Sequence, residues 1–235
     1  MTFDVVRAAA EVEPRSAEET IAWAMGSFAP RIALAWSGAE DVALVDLLLR
    51  AHPTARVFLL DTGRLDPETC QLVDRVRARY GCTIEVMFPD AAAVQAMVRA
   101  NGMNLFYESV EQRKQCCGVR KVEPLGRILA GLDAWMTGLR RDQSPTRSSI
   151  AKLERDEANG GIVKLNPIAD WTSDQVWDYI KVHNVPYNPL HDRGYRSIGC
   201  APCTRATRSG ESVRAGRWWW EDRENKECGL HSREP

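Results

Sequence analysis

Short apolar runs that alternate with stretches of helical spacing constrain this chain more than any other feature. "RIALAWSG" (31–38), "ARVFLLDTG" (55–63), "CTIEVMFP" (82–89) and "AWMTGLR" (134–140) read as buried strands, each too short for a helix and bounded by turn residues. Between them, "AEDVALVDLLLRAH" (39–52), "DPETCQLVDRVRARYG" (66–81), "DAAAVQAMVRANG" (90–102) and "KVEPLGRILAGLD" (121–133) carry apolar residues at helical spacing. Pro67 near a start and Gly81 past an end punctuate the second of these helices. Upstream, "SAEETIAWAMGSF" (16–28) opens with Ser16 and has Glu19 three residues on, a capping-box signature. Strands alternating with helices of this length predict an α/β fold: a doubly wound, mostly parallel sheet with helices on both faces.

The remaining organisation is simple. At 235 residues the chain suits one core, and no repeats or low-complexity tracts interrupt it. After about Cys203 the composition turns polar and charged, so the division expected is an α/β domain over 1–204 and a mobile C-terminal arm over 205–235. A net charge of -1 gives no global case for nucleic acid or a membrane surface. Apolar runs stay well short of the roughly 20 residues that cross a bilayer, and "MTFDVVRAAAEVEP" lacks a secretory pattern. A cytoplasmic location is the expectation.

In a doubly wound sheet, ligands bind outside the carboxyl ends of the strands. Three strand ends here carry small or polar residues: "WSGAED" (36–41) with Ser37 and Gly38, "LDTGRL" (60–65) with Thr62, Gly63 and Arg64, and "MTGLRRDQSPTR" (136–147) with Gly138. Such turns present backbone N–H groups to an anion, although a tight strand-to-helix turn is the plainer explanation for any one of them. The first is not a Walker A loop, since no Gly-Lys-Ser/Thr follows. The third is basic, with Arg140, Arg141 and Arg147 in eight residues. Arginine forks suit phosphate or sulfate, whereas pairing with Asp142 is the bland alternative. Arg214 and Arg217 in the arm would complete an anion pocket if the arm folds over the strand ends.

Seven cysteines are an odd number for a disulfide framework, and in a reducing compartment they point to metal or catalysis. Cys70 and Cys82 fall in periodic segments and read as packed thiols. Cys116 and Cys117 in "QCCG", and Cys200 and Cys203 in "GCAPC", form two pairs. Cys-x-x-Cys is a half-site for zinc or iron–sulfur. Adjacent cysteines suit a four-iron cluster, with one iron corner per thiolate, better than one tetrahedral zinc. A redox-active disulfide and unrelated thiols stay open beside those two. Cys228 then stands alone seven residues from the end, with Lys226 and His231 available to lower its pKa.

Six stretches taken together carry a resemblance: "LDTGRLDPET" (60–69), "KQCCGVRKVEPL" (114–125), "TGLRRDQSPTRS" (137–148), "NPLHDRGYRSIGCAPCTR" (188–205), "GRWWWE" (216–221) and "KECGLH" (226–231). In this order, from about Ile32 onwards, the chain resembles the assimilatory adenylyl-sulfate reductases, the iron–sulfur branch of the sulfonucleotide reductases. The resemblance implies a PP-loop (adenine nucleotide alpha hydrolase-like) fold and a 4Fe–4S cluster on Cys116, Cys117, Cys200 and Cys203. It implies Cys228 as nucleophile, His231 in the same terminal motif, and Lys121 between cluster and substrate. Arg147, Arg214 and Arg217 match arginines that hold the phosphosulfate, and the three strand-end turns would receive the nucleotide.

Three departures stand out. "SGAED" replaces the Ser-Gly-Gly-x-Asp-Ser of PP-loop pyrophosphatases, which suits a substrate with no pyrophosphate to cleave. Gln115 stands where an acidic residue often precedes the cysteine pair. "QSPTRS" is one residue shorter than the Gln-Ser-Pro-Gly-Thr-Arg form, which shortens the loop that carries Arg147. The implied reaction is reduction of adenosine 5′-phosphosulfate to sulfite and AMP through an S-sulfocysteine, with thioredoxin as the external reductant. A reductase of the 3′-phosphorylated nucleotide is the alternative, and a zinc protein and an ATP-consuming sulfurtransferase are the more distant ones. A homo-oligomer stays open.

Overall fold

A computed structural model describes residues 3–221. The predicted strands are present as β1 (Ile32–Trp36), β2 (Arg56–Leu60), β3 (Ile84–Met87) and β4 (Ala134–Thr137). The helices between them are α3 (Val42–Ala51), α4 (Pro67–Tyr80), α5 (Ala91–Asn101), α6 (Val110–Cys117) and α7 (Glu123–Leu129). At the N-terminus lie α1 (Val5–Val12) and α2 (Ala17–Phe28), the second capped as its sequence predicts. Glu19 N–H donates to Ser16 Oγ at 3.2 Å, and Ser16 N–H donates to Glu19 Oε2 at 2.8 Å.

Two strands follow that the apolar pattern does not announce, β5 (Leu153–Asp156) and β6 (Ile162–Leu165), then α8 (Ser173–Val182). The sheet order is β3-β2-β1-β4-β6-β5, parallel throughout except for the β5–β6 hairpin. β6 escapes notice because it holds a buried lysine. Lys164 sits 3.5 Å from Glu154 on the neighbouring strand and 5.5 Å from the centroid of the Trp135 ring, so its charge is compensated inside the sheet.

Alternation along the strands feeds two cores. Ile32, Leu34 and Trp36 of β1, Val57 and Leu59 of β2, and Ala134 and Met136 of β4 join the core packed by α2, α3, α4 and α8. Ala33, Phe58 and Trp135 point the other way, onto Leu125, Ile128, Leu129 and Leu132 from α7 and the turn after it. Both faces are therefore covered, as near-continuous apolar parallel strands require. Cys82 packs against the first core, whereas Cys70 is exposed on α4. The expectation of a packed Cys70 fails because that position faces away from the sheet.

The arm from 205 to 221 lies against the domain. Thr204 bridges Arg217 in antiparallel fashion, Arg205 N–H donates to Gly216 O at 3.0 Å, and Trp218 N–H donates to Cys203 O at 3.0 Å. Trp218 is 1% exposed. Among the described residues, no helix is long and apolar enough to cross a membrane.

Candidate nucleotide and cysteine site

The carboxyl ends of β2, β1 and β4, neighbours in the sheet, carry the three turns. After β1 the chain is held by Asp41. Its carboxylate accepts from Ser37 N–H at 2.8 Å, Ser37 Oγ at 2.9 Å and Ala39 N–H at 3.2 Å. Burial, and then the charge of Glu40 beside it, push the Asp41 carboxyl up to about 6 against those bonds. Asn188 Nδ2 braces the turn from outside, donating to Gly38 O at 3.0 Å and Thr69 Oγ1 at 2.9 Å.

Above these turns opens a cleft of about 190 Å³. Its floor is apolar, built from Ala35, Phe58, Leu60, Leu125 and Trp135, and its rim carries Ser37, Thr62, Gly138, Lys121, Arg147, Arg214 and Arg217. An apolar slot with a small convergent set of polar and cationic groups is how a planar, anionic ligand is held. Gln143 Oε1 accepts from Arg147 at 2.5 Å, which orients that arginine along the rim. Arg217 donates to Ile198 O at 3.0 Å while its guanidinium lies against Gly199. A Cβ there would come within 2.3 Å of Nη2, so any side chain at 199 would require this guanidinium to shift.

Two predicted site residues face elsewhere. Arg140 is buried and turned from the cleft, its two Nη atoms each 3.3 Å from Glu40 Oε1. A smaller cavity holds Arg140 and Glu40 with His191 and Arg196. Arg64 donates to Asn104 Oδ1 at 3.1 Å and to Met103 O, with its guanidinium 5.4 Å from the Phe106 ring centroid. Gly63 and Gly38 shape their turns, but their surfaces do not line the cleft.

Beside the cleft is a second cavity, and Cys116, Cys117, Cys200 and Cys203 all line it. The two cysteine pairs, far apart in sequence, are thus brought together. The adjacent cysteines end α6, and a wide π turn, Gly118–Val122, follows them before α7 begins. Such a widened turn re-aims side chains and is frequent at functional sites. Cationic side chains surround the thiols: Arg64, Arg113, Arg120, Lys121 and Arg217. Arg120 donates to Thr62 O at 2.7 Å, and Thr62 Oγ1 lies 3.3 Å from Cys200 Sγ.

Burial, followed by the charge of Cys200, pushes the Cys203 thiol up to about 12. Burial also raises Cys116. Burial acts on Cys200 as well, but Lys121, Thr62, Arg217 and Arg120 outweigh it and bring that thiol down. Crowded thiols that raise one another are a donor set that a cation would relieve. Among the described residues, no three His, Cys, Asp or Glu side chains close around a single ion's position.

Lys121, Arg217 and Trp218 line both cavities and form the wall between them. The Trp218 ring has the Arg217 guanidinium 4.8 Å from its centroid and that of Arg113 at 4.6 Å. Trp218 joins this wall although no site residue was expected there from the sequence; the "WWW" run at 218–220 was the available signal. Cys228 and His231 lie outside the described residues.

Fold and site together define a nucleotide-binding α/β protein of the PP-loop type with a thiol-lined cavity adjoining its cleft. Comparison with known proteins agrees. The phosphoadenosine phosphosulfate reductase domain family matches residues 31–206. An adenosine 5′-phosphosulfate reductase of Burkholderia cepacia is 57% identical over 193 residues, 82% of this chain and 77% of that protein. One from Pseudomonas aeruginosa is 46% identical over 235 residues, 98% of this chain and 87% of its own. Among solved structures, the phosphoadenylyl-sulfate reductase of Candida auris, in a phosphate complex, superposes with a TM-score of 0.75 at 26% identity, covering 87% of this chain and 99% of that one. The chain belongs to the phosphoadenosine phosphosulfate reductase family, oxidoreductases acting on sulfur, and to its adenosine 5′-phosphosulfate reductase branch.

Proposed function

We propose that this chain reduces adenosine 5′-phosphosulfate to sulfite and AMP in sulfate assimilation, with an external dithiol protein of the thioredoxin type as reductant. One observation carries the reading: the wall of Lys121, Arg217 and Trp218 is shared by an apolar-floored, cationic cleft and a cavity lined by four thiols. The floor suits a purine, and the rim suits a phosphosulfate. Relatives at 46% and 57% identity are named for the nucleotide without a 3′-phosphate, the Candida auris structure at 26% for the nucleotide that bears one. The balance favours the former.

Cys228 is the proposed nucleophile, with Lys226 and His231 as neighbours that favour its thiolate. The thiolate attacks the sulfate sulfur, the bond from that sulfur to the bridging oxygen breaks, and the electron pair leaves with AMP. Arg147, Arg214, Arg217 and Lys121 neutralise the leaving phosphate as its charge grows. The product on the enzyme is an S-sulfocysteine, so one difficult displacement becomes two easier ones. A thiolate of the reductant then attacks Cys228 Sγ and expels sulfite, and its second thiol resolves the mixed disulfide. Two thiols are oxidised to a disulfide as sulfate-level sulfur falls to sulfite. A reducing, cytoplasmic compartment suits an enzyme that consumes thiols.

Cys116, Cys117, Cys200 and Cys203 would hold a 4Fe–4S cluster. The donor set fits because a cluster takes each thiolate at its own iron, so four thiols can stand around a cavity without converging on one point. Bound there, the cluster would supply a fixed charge beside Lys121. The four cluster-binding cysteines and most of the nucleotide-binding residues would fall within 1–204, while Arg214, Arg217 and the nucleophile come from the arm, 205–235.

Anaerobic protein incubated with adenosine 5′-phosphosulfate and no reductant tests the proposal. The expected result is one sulfonate group on Cys228, located by peptide mass, with an equivalent of AMP. Absence of any adduct with this nucleotide or its 3′-phosphorylated relative would defeat it.

A further inference from the structure

The small cavity that holds His191 lies outside the proposed reaction. It measures about 150 Å³, and Ser173 and Trp177 of α8 line it together with Arg140, Arg196 and Glu40. Charges of both signs meet there. Arg140, 2% exposed, is paired with Glu40 Oε1, and Asp142 Oδ2 accepts from Ser173 N–H at 2.8 Å.

Two buried nitrogens are left over: Arg140 Nε and His191 Nε2 have no hydrogen-bond partner among the described residues. Arginine stays protonated, so its Nε is a donor. The histidine, its side chain 5% exposed, is a different case. Burial lowers its pKa, and the backbone of Tyr195 engages the ring at its other nitrogen in a bond that favours the protonated form. In the neutral ring Nδ1 therefore holds the hydrogen, and Nε2 presents a lone pair. Glu40 Oε2 stands 4.0 Å from that lone pair. Two acceptors face each other at a spacing that one ammonium group can bridge, with a hydrogen bond to each.

A plain cation would satisfy these acceptors but meet Arg140 and Arg196, and a plain anion would satisfy the arginines but meet Glu40 and Asp142. A molecule with both charges a few bonds apart suits the whole lining. The volume would take about ten waters, or an organic molecule of roughly six to eight non-hydrogen atoms. Trp177, whose ring stands edge-on to His191 with centroids 4.9 Å apart, and Val213 offer an apolar wall.

We propose that this cavity binds a small α-amino acid. Its ammonium bridges His191 Nε2 and Glu40 Oε2, its carboxylate takes the donors of Arg196 and Arg140, and its short side chain lies toward Trp177 and Val213. The site is separate from the nucleotide cleft and does not depend on the reaction proposed above.

Calorimetric titration of the wild-type protein with L-alanine, L-serine and L-valine tests it, because these ligands can be altered without touching the fold. L-Lactate replaces the ammonium, and L-alaninamide replaces the carboxylate. The small amino acids are expected to bind with a Kd below about 1 mM, both analogues at least about tenfold more weakly, and L-tryptophan, too large for the cavity, not at all. Saturating AMP should leave this binding in place. Arg196→Gln should weaken it about tenfold with AMP affinity unchanged, and His191→Leu should weaken it as well. No binding of the three amino acids at about 10 mM would leave a cavity for water alone and overturn the site. Lactate equal to alanine overturns the ammonium bridge, and alaninamide equal to alanine overturns the arginine contact. Displacement by AMP, or variants that bind as the wild type does, would put the amino acid elsewhere. If AMP itself does not bind, the nucleotide reading is wrong, and the analogues and variants then decide this site without it.

Discussion

Gly138 faces Asp41 so closely that a Cβ on it would lie 2.5 Å from the Cβ of Asp41. The turn after β4 is thereby seated on the turn after β1, and Asp41 in its place holds Ser37 and Ala39. Gly138→Ala must push the two turns apart. Because Asp41 is backbone-tied, the strain cannot be relieved by rotating one side chain. We expect a loss of about 1–3 kcal/mol in stability and a clear drop in AMP affinity, read by thermal melting and calorimetric titration. A variant with wild-type affinity would show that the close contact is not part of the nucleotide seat.

Lys121 lies on the π turn and reaches both cavities. In the proposed reaction its charge would act where the phosphate leaves, and it stands beside the gathered thiols. Lys121→Met is expected to slow adduct formation about a hundredfold while AMP binding weakens much less, because the charge matters most as the leaving phosphate develops. Single-turnover quench measurements, set beside AMP titration, separate the two effects. Equal losses in both would reduce Lys121 to a ground-state contact.

His191 and Glu40 share a small cavity with Arg140. Burial lowers the pKa of His191, and Glu40 only partly offsets it. Burial tends to raise Glu40, but Arg140 and His191 prevail and lower it. Both folded values therefore lie below the unfolded ones. Their stability contribution is present above the unfolded values of 6.5 and 4.5 and is lost as pH falls through the folded ones. Asp41 works the other way, since its raised carboxyl gives a contribution that is lost as pH rises through about 6. Substitution isolates the histidine. Relative to His191→Gln, the wild type should lose stability as pH falls below about 6.5, measured by urea titration at stepped pH. A constant difference across that range would mean that His191 titrates normally.

The strands that position the site were legible because they are buried on both faces and therefore apolar throughout, as in β1 and β2. The hairpin of β5 and β6 was not, since Glu154, Arg155 and Lys164 break any apolar run, and their compensation comes from neighbours rather than from local pattern. The cysteine pairs could be read from spacing alone. Which arginine of "GLRRDQSPTR" enters the cleft could not. Arg140 is withdrawn by Glu40, a hundred residues earlier in the chain, while Arg147 is kept on the rim by nearby Gln143. Arg113 and Glu221 are likewise distant in sequence. Long-range charge pairing is settled by the fold, and a linear pattern carries no trace of it.

Cysteine substitutions distinguish a cluster from a single bound ion. Cys200 is the thiol that Lys121, Thr62, Arg217 and Arg120 together bring down against burial, and it lines the same cavity as Cys116, Cys117 and Cys203. Cys70 is exposed on a helix and Cys82 packs under the sheet, neither of them at that cavity. If the cavity holds a cluster, Cys200→Ser should lose most of the iron and acid-labile sulfide, whereas Cys70→Ser and Cys82→Ser keep both. Wild-type protein should carry about four irons and as many labile sulfides per chain. One zinc per chain without sulfide would instead require the four thiols to draw together around a single ion, and would overturn the cluster assignment while leaving the cleft and its arginines as they are.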